Sequence, residues 1–244
     1  MQDFTNFTPN SQQPGALARS AAGSEALFFQ KVYTWMFAGL AVTALASYVL
    51  AHSSTFIMFL VNNRWALYAG FFAQLGMVIY LTARLEHMSP STAKGIFLAY
   101  SALTGACFSV LLLVYPSTAF IKAFVCTAGI YGGMAVFGLV TKRSLQGWGS
   151  FLFMGLIGII IASVVNWFTQ SPMMDFAICV IGVFIFAGLT AYDHQKLRVI
   201  YATALNGADE DQISRVVVMG ALTLYLDFIN IFLFLLRLFG SSRD

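Results

Sequence analysis

The sequence predicts an all-α membrane protein, built as a bundle of seven transmembrane helices. Two observations carry this prediction. The mean hydropathy is +0.79 and only 9% of the 244 residues are charged, whereas soluble domains carry about 25%. Seven apolar stretches of roughly 20 residues also follow one another along the chain. Each is long enough to cross a hydrocarbon core about 30 Å thick.

The predicted spans cover residues 32–51, 65–83, 93–115, 119–140, 149–168, 173–192 and 216–239. Pro116 and Pro172 fall between spans, where a proline does not interrupt a helix. Residues 1–24 are rich in Gln, Asn, Ser, Thr, Pro and Gly, a composition typical of disorder. The sequence therefore predicts a disordered cytosolic tail over residues 1–24 and a seven-helix transmembrane domain over residues 25–244.

The placement of Lys and Arg predicts the orientation, because cytoplasmic loops carry an excess of basic residues. With the N-terminus inside, nine basic residues lie on the inner side and four on the outer side. The prediction is a multi-pass protein with a cytoplasmic N-terminus and, after an odd number of spans, a C-terminus outside. The inner set is Arg19, Lys31, Arg84, Lys94, Lys142, Arg143, Lys196, Arg198 and Arg215, and the outer set is Arg64, Lys122, Arg237 and Arg243.

Small residues predict where helices touch. Gly129 and Gly133 form a GxxxG pattern, and Gly155 and Gly158 follow in the next span. In lipid such residues allow two backbones to approach closely, so these faces are expected to pack against other helices.

The composition argues against several functions. The net charge of +3 is small and the basic residues are scattered, so nothing favours nucleic-acid binding. The cysteines lie inside apolar stretches without a CxxC pattern, which is typical of small buried hydrophobes. The histidines lack metal-ligand spacing, so we expect neither a zinc site nor another tightly bound cofactor. These residues are Cys107, Cys126, Cys179, His52, His87 and His194.

One carboxylate stands near the middle of the last predicted span. Asp227 lies about eleven residues into it, and Asn230, three residues further, shares its helical face. A charge at that depth costs roughly 2.5–3.5 kcal/mol, so Asp227 is expected to face protein or water rather than lipid. A structural hydrogen bond between helices and a proton or ion site both remain open.

A second carboxylate, Asp193, ends the preceding span directly after Tyr192. Two acids that approach closely cannot both ionise cheaply, so they would share one proton. The protonated pair would hold two helices together and the deprotonated pair would repel them, which makes a pH switch. The alternative for Asp193 is a surface pair with Lys196, which is worth little. The acids meet only if the sixth span is set deeper or the seventh begins in the cytosol, since Asp227 lies about 16 Å along its predicted helix.

Arg84 ends the second span on the predicted inner side. Two roles are open for it. As an anchor, it would follow the excess of basic residues in cytoplasmic loops. As a latch, it would pair with an aspartate and close an inner gate, with Glu86 as a competing partner.

The segments around the two acids carry a family resemblance. Residues 188–196 read GLTAYDHQK, and residues 220–237 read GALTLYLDFINIFLFLLR. Together they resemble the Bax inhibitor-1 family, also called the transmembrane Bax inhibitor motif family, and in particular its bacterial members of the YccA and YetJ type. The similarity extends, more loosely, over all seven spans.

The resemblance implies a bundle with the last helix central and six around it, in a bacterial inner membrane. It also implies a pH-sensitive calcium leak channel, regulated by protons, that is not an enzyme. In that family the acids at the positions of Asp193 and Asp227 form a hydrogen-bonded pair that senses pH, with Tyr192 and Asn230 in supporting places. A basic residue near the position of Arg84 latches onto the first acid. Both carboxylates would line the calcium path, because carboxylate oxygens suit this hard cation.

Three other functions stay open. A proton-coupled transporter would use the same acids. A membrane regulator of proteolysis or of a stress response would have a membrane protease or another membrane protein as its partner. An intramembrane aspartyl protease also carries Tyr-Asp on one helix and Asp on the next. That third function fits poorly, because Asp227 follows Leu-Tyr-Leu rather than Gly-x-Gly and seven spans are too few.

Overall fold

The computed structural model describes residues 14–63, 65–204 and 208–240. Within them all regular structure is helical, and seven helices are long and apolar enough to cross a membrane. This confirms the predicted helical membrane fold. The helices are α1 (Pro14–Ala51), α2 (Ser54–Asn62), α3 (Trp65–Arg84), α4 (Pro90–Val114), α5 (Ser117–Val140), α6 (Gln146–Thr169), α7 (Pro172–Ala204) and α8 (Glu210–Gly240).

Four helices, α1, α2, α7 and α8, differ from the prediction. Helix α2 was not predicted; at about 13 Å it is too short to span. Helix α1 begins at Pro14, so residues 14–24 are helical where a disordered tail was expected, while residues 1–13 lie outside the described part. Helices α7 and α8 both extend beyond the predicted inner ends of their spans, α7 to Ala204 and α8 back to Glu210.

Local signals explain where some helices begin and end. The Ser89 side chain accepts a hydrogen bond from the amide of Thr92 at 3.2 Å, and Pro90 follows at the start of α4, where its missing N–H has no partner to lose. Gln170 ends α6 in the left-handed conformation, with φ at 49°.

Helix α8 is the centre of the bundle. In its spanning window 67% of the residues are buried, against at most 33% in any other spanning helix. It packs against α1, α4, α5 and α7. Aromatic contacts line this core, including Phe97 edge-on to Tyr225 and Phe108 stacked on Phe232. The implied central position of the last helix is thus observed.

A buried hydrogen-bond chain fixes α8 against α1 and α4. The Tyr225 hydroxyl lies 2.7 Å from the Thr43 hydroxyl, which itself donates to the carbonyl of Ser101 at 2.9 Å. Since Thr43 uses its proton on Ser101, Tyr225 is the donor to Thr43. All three side chains are buried, so these hydrogen bonds satisfy polar groups whose burial without a partner would cost free energy.

Helices α3 and α6 are peripheral. Helix α3 packs mainly on α4, and α6 packs mainly on α7. Their spanning windows are also the least buried, at 6% and 11%. The arrangement of six helices around α8 is therefore uneven, and it leaves space between α3 and α6.

The prediction that the GxxxG glycines pack is wrong. A Cβ added at Gly129, Gly133 or Gly158 would meet nothing within 4 Å among the described residues. Close approach occurs instead at Gly138, where an added Cβ would run into the backbone of Ala191, so α5 and α7 touch there. A Cβ added at Gly155 would lie 2.7 Å from the Ile185 side chain, so α6 and α7 pack closely there.

The path of the chain sorts the basic residues onto two ends. We call the end where α1 begins the inner end. Most of the described basic residues lie there, including Arg84, Lys142 and Lys196, while Lys122 and Arg237 lie at the outer end. Arg64 and Arg243, counted in the orientation argument, fall outside the described residues. The assignment of the inner end to the cytoplasm stays a prediction.

Candidate functional site

A cleft of about 1240 Å³ lies between α3 and α6, and residues of α7 and α8 also line it. The lining runs from Gly149 and Lys196 at the inner end to Trp167 and Arg237 at the outer end. It therefore extends over almost the whole length of α6. The four candidate residues from α7 and α8 all line it: Tyr192, Asp193, Asp227 and Asn230.

The extended helices place both acids well inside the bundle rather than near the helix ends. Helix α7 continues past Asp193 to Ala204, which places Asp193 about 16 Å from the inner end of that helix. Helix α8 begins at Glu210, so Asp227 lies about 26 Å along it. Helix α7 thus continues well beyond the predicted sixth span, and α8 begins six residues before the predicted seventh.

The carboxyl groups of Asp193 and Asp227 line the same cleft from two helices that pack together, and they are close enough to interact electrostatically. Asp227 is only 4% exposed, and its Oδ2 accepts no hydrogen bond from any donor in the described residues. A buried carboxylate oxygen beside a second carboxylate is costly unless one group is protonated and donates to the other. The geometry therefore suits one proton held between α7 and α8.

Tyr192 and Asn230 flank the pair. The Tyr192 ring packs over Gly149 of α6, where an added Cβ would lie 2.6 Å from the ring. The Asn230 amide donates to the carbonyl of Leu226 at 2.8 Å, which fixes the side chain along α8. Lys196, on the same face of α7 as Asp193, lines the cleft on its inner side.

The structure does not pair Arg84 with either acid. Arg84 is exposed at the end of α3, before a 3-10 turn at Leu85–His87. Among the described residues, neither Arg84 nor Glu86 takes part in an ion pair. The expected latch is thus not formed here, and the position of Arg84 at a helix end fits the alternative role of an anchor.

An ion pair between Asp175 and Arg237, at the outer end of the cleft, was missed. Asp175 lies in the first turn of α7 and Arg237 in the last turn of α8. The two helices run antiparallel and touch, so these turns meet at one end of the bundle. The signal was present in the sequence, since consecutive spans carry opposite charges at the same predicted end.

The burial of His194 was also missed. Its side chain is 0% exposed and lies between the rings of Tyr33 and Tyr131. Nδ1 donates to the carbonyl of Thr190 at 2.6 Å, while Nε2 has no partner among the described residues. The sequence around His194 is polar, so His194 was expected outside the span. Helix α7 continues past the predicted end of that span and carries His194 into the core.

Comparisons with known proteins bear on the family of the chain. The sequence model of the family described as Inhibitor of apoptosis-promoting Bax1 matches residues 25–244. That match covers more than half of the chain, and it includes both acids. The chain belongs to the Bax inhibitor-1 family. The resemblance seen in the sequence is therefore confirmed.

Three similar proteins illustrate the relationship. The chain is 43% identical over 216 residues to the Inner membrane protein YbhL of Escherichia coli (strain K12), covering 88% of this chain and 92% of that one. It is 44% identical over 217 residues to an uncharacterized protein of Deinococcus radiodurans, covering 89% and 91%. It is 39% identical over 217 residues to an uncharacterized protein of Borreliella burgdorferi, covering 89% and 93%. The similarity to each spans nearly the full length of both proteins.

Within the described residues, no group of three or more His, Cys, Asp or Glu side chains is arranged to hold a metal ion. The candidate site of this Bax inhibitor-1 protein is thus a pair of acids beside a cleft, with one amide, one phenol and one lysine near it.

Proposed function

We propose that this Bax inhibitor-1 protein is a calcium-permeable leak channel of a bacterial inner membrane, gated by protonation of the Asp193–Asp227 pair. The observation that supports it most is the place of the pair. Both acids line a cleft that reaches from the inner to the outer end of the bundle. In a membrane an acid beside such a cleft faces the region where a cation would pass.

The chemistry of the pair suits a divalent cation. Ca²⁺ prefers oxygen ligands, and two carboxylates supply part of the six to eight oxygens it takes. Asn230 and bound water would supply others. An ion that keeps some of its water is held weakly enough to leave again, which a leak requires.

Gating follows from the shared proton. With one proton between them, Asp193 and Asp227 hold α7 and α8 together. Loss of that proton leaves two like charges in contact, and they repel each other. Because these helices form part of the cleft lining, a change in their distance changes its width.

The test is calcium flux into liposomes that carry the purified protein, measured from pH 6 to 8 with a fluorescent Ca²⁺ indicator inside. We expect flux above that of protein-free liposomes and a rate that changes with pH. Flux equal to that of protein-free liposomes at every pH would remove the channel proposal.

A proton-coupled transporter remains the second candidate, since a buried acid pair also serves proton coupling. The same liposomes distinguish the two. The flux through a gated leak changes with pH even when the pH is equal on both sides of the membrane. A coupled transporter instead needs a proton gradient to drive uphill movement of its substrate. Uphill Ca²⁺ accumulation driven by an imposed pH gradient would favour the transporter.

A further inference from the structure

A second cavity lies on the other side of α6, near the inner end of the bundle. This groove, of about 500 Å³, is enclosed by α5, α6 and α7. Apolar side chains form most of it, with Phe137, Leu152 and Ile185 from the three helices. Its polar residues are gathered at one end, in the loop between α5 and α6, where Arg143 and Ser144 line it.

The polar end of the groove is fixed in place. The Gln195 side chain accepts a hydrogen bond from the amide of Leu145 at 2.6 Å and donates to the carbonyl of Arg143 at 2.9 Å. One residue of α7 thus clamps both sides of the loop. Arg143 lines the groove and Lys142 precedes it in the same loop, and both side chains are exposed, so the loop at the polar end of the groove carries two cations.

The groove also has the features of a membrane interface. Trp148 lines it and is 59% exposed, and tryptophan is enriched where the hydrocarbon region meets the headgroups. Basic pockets between transmembrane helices at this level bind anionic lipid headgroups. The apolar walls of the groove suit an acyl chain, and the two cations of the loop at its polar end suit the phosphate of a phospholipid.

We infer that the groove between α5, α6 and α7 binds an anionic phospholipid, with an acyl chain against the apolar walls and the phosphate at Lys142 and Arg143. Tyr192 lines both this groove and the cleft. The bound chain would therefore touch the residue that precedes Asp193. The binding itself does not depend on the proposed channel function.

The test uses Trp148 as a local reporter. The other three tryptophans, Trp35, Trp65 and Trp167, are replaced by Phe, and the protein is placed in bilayers that contain a lipid with brominated chains, which quench tryptophan fluorescence on contact. Brominated phosphatidylglycerol is compared with brominated phosphatidylcholine. From the quenching of Trp148, we expect the anionic lipid to bind the groove about five-fold more strongly than phosphatidylcholine. This is the effect of roughly one basic residue beside an anionic headgroup.

Matched variants locate the preference. Lys142→Gln with Arg143→Gln should abolish it, while Lys122→Gln, which removes a cation at the outer end, should keep it. Arg143→Lys retains the charge and should also keep it. Both cations of the loop are exposed and the Gln195 clamp uses backbone groups, so these variants are expected to fold.

A second reporter separates the groove from the general lipid surface. A protein that retains only Trp167, at the outer end of α6, should show no preference, because Arg237 nearby is paired with Asp175. Equal quenching of Trp148 by both lipids would overturn the inference. So would a preference that survives in the double variant, or an equal preference at Trp167. The assay measures lipid contact and no ion flux, so its failure would leave the channel proposal standing.

Discussion

Burial governs the chemistry of Asp227. The Asp227 side chain is only 4% exposed, so water cannot solvate a charge on it. Its Oδ2 accepts no hydrogen bond from any donor among the described residues. The neighbouring carboxyl of Asp193 offers a partner only when one of the two holds a proton. The pair is therefore best described as one unit with one exchangeable proton, rather than as two independent acids.

The distance between α7 and α8 should respond to this proton. With spin labels at Val199 and Gln212, in protein whose native cysteines are replaced, we expect a shorter distance at pH 6 than at pH 8. The shared proton is bound at low pH, and its loss at high pH leaves two repelling charges. Asp193→Asn and Asp227→Asn should each make the distance independent of pH, because an amide carries no charge. The same pH-dependent shift in both variants would contradict the shared proton.

The Asp175–Arg237 pair is expected to tune cation entry at the outer end of the cleft. Asp175→Asn leaves the Arg237 charge uncompensated, and a positive charge on a cation path raises the barrier to entry. In the liposome assay we expect calcium flux to fall by roughly five-fold, which corresponds to about 1 kcal/mol. Combining Asp175→Asn with Arg237→Gln should restore it. A double variant as slow as the single one would show that Asp175 acts in another way.

Sequence reasoning located both acids but could not settle whether they touch. Hydropathy marks where a span is apolar, and the polar residues after Asp193, such as Lys196 and Arg198, hid the continuation of α7. The Arg198–Glu25 pair joins α7 to α1, which lies far from it in the chain, and the Asp175–Arg237 pair joins opposite ends of the consecutive helices α7 and α8. Such contacts depend on how helices rotate about their axes, which a hydropathy pattern does not specify.

At the scale of elements, the lengths of α7 and α8 decide the site. Because both helices continue past the apolar stretches and pack against each other, Asp193 and Asp227 line one cleft from inside two long helices. The prediction that the GxxxG glycines pack was wrong for a reason that concerns whole helices. A pattern of glycines identifies a face on which a helix is smooth, but not whether another helix covers that face.

Gly138 is the glycine of α5 on which packing against α7 depends. Gly138→Ala drives a methyl group into the backbone of Ala191, two residues before Asp193, so we expect a loss of about 1–3 kcal/mol of stability from overpacking. Thermal unfolding in detergent measures it. Gly132→Ala is the matched control, since it lies on the same helix with open space around it and should be neutral or stabilising by up to about 1 kcal/mol. Equal stability of the two variants would mean that the helices are not in contact at Gly138.

At the scale of the whole molecule, the central α8 and the peripheral α3 and α6 produce the two cavities. One lies between α3 and α6 and carries the acids. The other lies beyond α6 and carries the basic loop. Tyr192 belongs to both, which places the residue before Asp193 between the proposed ion path and the proposed lipid groove.

The orientation of the molecule is open to direct measurement. Single cysteines at Ser144 and Lys122, in protein without its native cysteines, mark the two ends. The excess of basic residues at the inner end predicts that position 144 faces the cytoplasm and position 122 the opposite side. A membrane-impermeant thiol reagent added to intact cells should label only position 122. Labelling at position 144 alone would reverse the assignment.

The most direct test of the central claim is the pH dependence of calcium flux in matched liposomes carrying wild type, Asp193→Asn, Asp227→Asn or Asp211→Asn. The last variant removes an exposed carboxylate from the start of α8 and serves as the control. The shared-proton gate predicts that flux changes between pH 6 and 8 in wild type and in Asp211→Asn, and that this change is lost in both of the other variants. An unaltered pH dependence in Asp193→Asn and Asp227→Asn would contradict it.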